Sequence, residues 1–301
     1  MKSTFALLAL SGLSAAAPLE ARKEAVSATV FDKLGFFAQY SAAAYCKGNN
    51  DSPNSKVVCG DKRCEKVEAA KTNTLLEFEN SKDTDTTGFV ATDSTNNLIV
   101  LSFRGSKSID NWVSNLNFGL EDNSVCKGCE VHGGFLESWN EVKDKVLKSV
   151  KDAATKNPKF KIVATGHSLG GALATLATAD LRSAGTSVDL YTYGAPKVGN
   201  DKFNSFLGKT EKGLTHHSVH KADLVPTLPP SIPILSPYEN NAPVYYISSG
   251  NVSPVKAADV SIFKADQDDE NPGDNVEAHG WYYGQISKCK GDDKIGTKIG
   301  S

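Results

Sequence analysis

The chain has 301 residues, 40% of them hydrophobic and 23% charged, the composition of an ordinary soluble globular domain. Its formal net charge is −2, with no basic stripe and no aromatic–basic array, which argues against nucleic acid as a partner. No run beyond the N-terminus approaches the ~18 apolar residues of a membrane span. A mildly acidic chain must meet any lipid through apolar contact rather than charge attraction.

Lys2, the apolar run Phe5 to Leu13 and the small residues Ala15-Ala16-Ala17 make residues 1–17 a secretory signal peptide. Its loss removes Lys2 and takes the net charge from −2 to −3. Residues 18–27 read as a short propiece, with Arg22-Lys23 as its processing site. Residues 28–290 read as one domain without repeats or an internal linker, and 291–301 as a flexible polar tail. From 28 to 44 the spacing is helical, with Val30, Leu34, Phe37, Ala38 and Ser41 on one face. A polar cysteine-bearing loop follows over 46–66. Six cysteines in a secreted chain imply disulfides. Loop closure favours the near pairs Cys59–Cys64 and Cys126–Cys129, which leaves Cys46 to join Cys289.

Thr87–Val90 and Asn97–Phe103 read as a hairpin. Next, Ile109, Trp112, Val113 and Leu116 fall at helical spacing on one apolar face. That short helix is either a lid over a site or an ordinary surface helix. Residues 135–155 read as one amphipathic helix through Leu136, Trp139, Val142, Val146 and Val150. Strands are expected at 160–165, 188–193, 215–220 and 244–248. Strands alternating with helices predict an α/β domain with a mainly parallel central sheet. The acidic run 266–270 reads as a solvated loop without EF-hand spacing. Asn251-Val252-Ser253 is a glycosylation sequon weakened by the following Pro254.

The chemistry concentrates at Gly166-His167-Ser168-Leu169-Gly170. A β-branched strand precedes this GxSxG run and an Ala-rich helix follows it, the context of a nucleophile elbow. Ser168 is therefore expected in strained backbone, with no room for side chains at Gly166 and Gly170. A serine needs a base and an orienting acid. In the order Ser, acid, His, the histidines after Ser168 are His216, His217, His220 and His279. The first three belong to a strand, and with no cysteine beside them they point to no metal site. Asp223 falls at the end of that strand, and only His279 follows it, which makes Ser168 the nucleophile, His279 the base and Asp223 its carboxylate. Asp201, Asp259 and Asp274 are alternative acids. The oxyanion donors are expected at the N–H of Leu169 and at Ser106, in the loop Arg104-Gly105-Ser106 that leaves the 97–103 strand. The rival donor loop is His132-Gly133-Gly134, similar to an HGGG segment but one glycine short. No cofactor and no metal is called for.

Six segments occur together and in order: Leu101–Ser106, Ser108–Val113, Val131–Phe135, Thr165–Ala174, Tyr193–Asn200 and Asp223–Pro226. Over residues 28–290 the chain resembles the secreted filamentous-fungal triacylglycerol lipases of the class 3 family, the Thermomyces and Rhizomucor type. The resemblance implies an α/β-hydrolase fold with a helical lid, interfacial activation, a monomer acting on acylglycerols, and the triad and oxyanion residues given above. Pro229–Pro243 and 266–277 follow no family pattern. Related activities for the same triad are a phospholipase A1 or galactolipase, or a feruloyl-type esterase on soluble plant cell-wall esters. Trp112 and Ile109 argue against the esterase. A catalytically dead lipid binder would need a broken triad.

Overall fold

The computed structural model describes residues 24–50, 53–60, 62–79, 81–107, 119–230, 237–240, 243–263, 276–287 and 289. A nine-stranded sheet runs in the order β1-β11-β10-β9-β8-β7-β4-β3-β2. Its strands are β1 (Glu24–Ala25), β2 (Thr72–Phe78), β3 (Gly88–Asp93), β4 (Leu98–Phe103), β7 (Lys161–His167), β8 (Val188–Tyr193), β9 (Thr215–His220), β10 (Val244–Ile247) and β11 (Val260–Phe263). The central five, β4, β7, β8, β9 and β10, are parallel. Antiparallel pairs close both flanks. A separate hairpin joins β5 (Leu120–Asn123) to β6 (Cys129–His132).

Side-chain alternation builds a core on each face. Along β4, Leu98 and Val100 point to one face, and Ile99, Leu101 and Phe103 to the other. The first face is covered by α1 (Ala28–Ala43), through Leu34, Phe37 and Ala38. Ser27 caps α1 by accepting from the Val30 N–H at 3.4 Å. A short helix, α2 (Glu65–Ala69), packs beside it. The second face is covered by α3 (Gly133–Asn140), α4 (Lys143–Lys156) and α5 (Leu169–Ser183). The last helix, α6 (Asp201–Leu207), is capped by Asn200, whose side chain accepts from the Phe203 N–H at 3.0 Å.

The structure differs from the sequence reading at several elements. The helix expected over 135–155 is two, α3 and α4, broken at Glu141-Val142. Trp139, Val142, Val146 and Val150 are all buried on one side. Helical spacing therefore carries across the break and hides it. Strand β9, whose sequence reads as alternating in polarity, is buried on both faces. Residues 24–27, placed in the propiece, supply β1 against Ile262 and Ser261 and the cap of α1.

Disulfides join Cys46 to Cys289, Cys59 to Cys64 and Cys126 to Cys129. Buried Arg182 ties α5 to β8, α6 and the start of β9 with five hydrogen bonds, to the carbonyls of Val188 (twice), Leu207 and Leu214 and to Thr215 Oγ1. Burial lowers its pKa to about 10. No helix among the described residues is long and apolar enough to cross a membrane.

Candidate active site

Strand β7 delivers Ser168 to the carboxyl end of the parallel sheet, where α5 begins. Ser168 has φ 59° and ψ −134°, a strained left-handed turn residue. The turn is tight enough to forbid side chains on both sides. A Cβ at Gly166 would strike the Gly170 carbonyl, and one at Gly170 would strike the Phe103 carbonyl. Ser168 is fully buried, and its Oγ has no hydrogen-bond partner among the described residues.

Asp223 lies just beyond β9 and His279 in a turn near the chain's end. His279 Nδ1 faces both carboxylate oxygens, at 3.0 Å and 2.8 Å. A carboxylate only accepts, so Nδ1 carries the proton and Nε2 is free to take one. His279 Nε2 is buried without a partner among the described residues. No hydrogen bond joins it to Ser168 Oγ in this structure, and such contacts commonly tighten only with substrate. The Asp223 carboxylate also accepts from Tyr282 Oη at 2.5 Å and from the Val225 N–H at 2.9 Å. Burial first, then the neighbouring carboxylate, pushes the Tyr282 phenol far upward, so it stays a neutral donor. Asp201 instead opens α6, and Asp259 bonds the Lys256 N–H at 3.1 Å.

A hydrogen-bonded chain ties the elbow to both its neighbours. His167 Nε2 contacts the His279 carbonyl at 2.7 Å, and a carbonyl can only accept, so Nε2 is the protonated nitrogen. Its Nδ1 therefore accepts from Tyr45 Oη at 2.7 Å, and that oxygen accepts from the Gly105 N–H at 3.1 Å. Burial, with His279 adding to it, keeps the His167 ring neutral by holding its pKa well below the ordinary range.

Of the two loops weighed for the oxyanion, Arg104-Gly105-Ser106 is the one against the nucleophile. A Cβ added at Gly105 would stand 2.8 Å from Ser168 Cβ. A cavity of about 250 Å³ opens between Ser106, Lys107, Leu169 and the turn at Thr84–Thr86. Leu169 is the first residue of α5, so its N–H has no acceptor within the helix. His132 instead caps α3, its Nδ1 accepting from the Phe135 N–H at 3.2 Å. His216, His217 and His220 lie in β9, with His216 stacked 4.3 Å from Tyr191.

The helix positions Ile109, Trp112, Val113 and Leu116, the alternative acid Asp274 and the signal segment lie outside the described residues. Sequence reasoning missed Tyr45 and Tyr282. Tyr282, three residues after His279, had a weak signal in its neighbourhood, and Tyr45 had none.

Comparison with known proteins decides the family. The family description "Lipase (class 3)" matches residues 100–232, and "Lipase 3 N-terminal region" matches residues 1–76. A secreted mono- and diacylglycerol lipase A from Penicillium camembertii is 36% identical over 296 residues, covering 95% of each chain. The chain belongs to the class 3 lipase family. A secreted mono- and diacylglycerol lipase 1 from Fusarium solani is 38% identical, over 90% of this chain and 81% of its own. The crystal structure of a mono- and diacylglycerol lipase from Aspergillus oryzae superposes with a TM-score of 0.79 at 34% identity, covering 86% of this chain and 98% of that one. The fold is the α/β-hydrolase fold of these fungal lipases, with a mixed, mostly parallel sheet flanked by helices.

Proposed function

We propose that this protein is a secreted serine lipase that hydrolyses the carboxylic esters of acylglycerols at a lipid–water interface. Ser168 Oγ attacks the ester carbonyl while His279 Nε2 takes its proton. The N–H groups of Ser106 and Leu169 hold the developing oxyanion. His279 returns the proton to the leaving glycerol oxygen, which leaves an acyl-enzyme on Ser168. Water, deprotonated by the same imidazole, releases the fatty acid. Asp223 holds the ring in the correct tautomer and steadies its charged form. By their spacing in the sequence, Ile109, Trp112, Val113 and Leu116 are read as the apolar face of a lid that opens at lipid.

The observation that carries this reading is the pair of buried atoms Ser168 Oγ and His279 Nε2, both without a partner among the described residues, the latter on a ring held by Asp223. Cleavage after Lys23 fits the Arg22-Lys23 processing site and the place of β1, since it leaves Glu24 at the new terminus. Three disulfides and relatives named as secreted support an extracellular location.

A second reading concerns the substrate. Relatives at 36% and 38% identity are named mono- and diacylglycerol lipases, which favours partial glycerides over triacylglycerols. The test of both readings is the initial rate on mono-, di- and tributyrin, each stepped through its solubility limit, with a soluble feruloyl ester alongside. A sharp rise at the limit supports the interfacial lipase, and the glyceride with the highest rate fixes the class. A smooth saturation curve with strong feruloyl cleavage contradicts it.

A further inference from the structure

The loop beside Ser168 is held from outside the triad. Arg104 Nε donates to the Gly105 carbonyl at 3.2 Å. That carbonyl and the Ser106 N–H are opposite ends of one planar trans peptide, so they point in opposite directions. A cationic donor fixed on the oxygen aims the N–H the other way and strengthens it as a donor.

Arg104 is in turn held. Its guanidinium is buried, and Nη2 donates to Asp85 Oδ2 at 3.1 Å and to the Asp85 carbonyl at 3.4 Å. Asp85 has φ 54°, an unfavourable backbone for a non-glycine residue, so its turn needs support from elsewhere. Glu141 supplies it. Its carboxylate accepts from Ser81 Oγ (2.6 Å), Thr84 Oγ1 (2.5 Å) and the N–H groups of Asp83 (2.9 Å) and Thr84 (3.2 Å). Burial opposes its charge, but the hydrogen bonds outweigh burial and hold its pKa down to about 2.

We propose that Glu141 and Asp85 are positioning residues for acyl transfer, acting through the 81–86 turn and the Arg104 guanidinium to orient the Gly105–Ser106 peptide. The proposal rests on the reading of the Ser106 N–H as an oxyanion donor. The wrapping of a turn around Glu141 alone would be structural. What makes it functional is that the chain of bonds ends on the peptide that abuts the nucleophile.

The test is kinetics on a soluble p-nitrophenyl ester, normalised to active sites counted by phosphonate titration. Glu141→Ala is expected to lower kcat per titrated site about tenfold, with KM within about twofold, because an interaction made only in the transition state is weakened. Asp85→Asn keeps the turn's shape and is expected to lose several-fold in kcat. It decides the matter if Glu141→Ala does not fold. A variant that loses thermal stability or active fraction but keeps wild-type kcat per site overturns the proposal. Ser106→Pro removes the N–H itself and separates the two readings. Large loss in Ser106→Pro with none in Glu141→Ala and Asp85→Asn sinks only the positioning role. Wild-type kcat in folded Ser106→Pro sinks the oxyanion reading and the proposal with it.

Discussion

The residue before the nucleophile grips the residue that faces the acid: His167 Nε2 donates to the His279 carbonyl at 2.7 Å. The two rings pack with centroids 4.4 Å apart. The elbow and the 278–280 turn are therefore set by one buried contact, although 112 residues separate them in the chain. A neutral His167 is required, because a second proton on Nδ1 would face the Tyr45 hydroxyl hydrogen.

Tyr45→Phe tests that chain. It deletes the oxygen between the Gly105 N–H and His167 Nδ1 and leaves both buried and unpaired. The expected cost is about 1–3 kcal/mol of stability. Turnover should also fall, since Gly105 abuts Ser168. Chemical unfolding with steady-state kinetics checks it, and an unchanged unfolding midpoint would contradict the network.

Tyr282→Phe removes one donor from the Asp223 carboxylate without changing packing. Hydrogen bonds to charged groups are worth about 1.5–3 kcal/mol. A tenfold or greater fall in kcat on a soluble ester is expected, with KM little changed. Equal kcat would mean that the Val225 N–H and His279 suffice to hold the carboxylate.

His216 predicts how the fold responds to acid. Burial lowers its pKa from the ordinary 6.5 to about 4. The unfolded chain takes up this proton near pH 6.5 and the folded one resists until about pH 4, so stability is full above 6.5 and drains as the pH falls toward 4. The loss from this one group is on the order of 3 kcal/mol. His216→Phe keeps the stack on Tyr191 and should flatten, not abolish, the decline, because burial also lowers His220 and His167. Melting temperatures at pH 7.5 and 4.5 for both proteins measure it.

Arg182→Leu should be among the most damaging changes remote from Ser168. It strips donors from the buried carbonyls of Val188 and Leu207, the partly buried carbonyl of Leu214 and Thr215 Oγ1. Each buried acceptor left unsatisfied costs about 1–3 kcal/mol. Differential scanning calorimetry would show it as a large fall in melting temperature.

What could be read from the sequence was local or ordered. The elbow was legible because strand, GxSxG and helix are contiguous. Asp223 and His279 stood out because chain order left few choices, and the sequence singled out the Arg104–Ser106 loop because it leaves an unmistakable strand. Tyr45 was invisible because its partner His167 is 122 residues away and only the tertiary fold joins them. The helix break at Glu141 was hidden by continuous apolar spacing. Strand β2 escaped notice because Thr72–Phe78 mixes buried and exposed positions without clean alternation. The role of Glu141 rests on contacts to Ser81, Asp83 and Thr84, some sixty residues away in the chain, which no local pattern announces.

The most direct measurement is covalent trapping with an alkyl phosphonate ester, followed by peptide mapping and activity assay on wild type and Ser168→Ala. The account predicts one phosphonyl group per folded molecule, on Ser168, with complete loss of acylglycerol hydrolysis, and neither label nor activity in Ser168→Ala. Activity lost through a label on another residue, or near wild-type hydrolysis by Ser168→Ala, would contradict it.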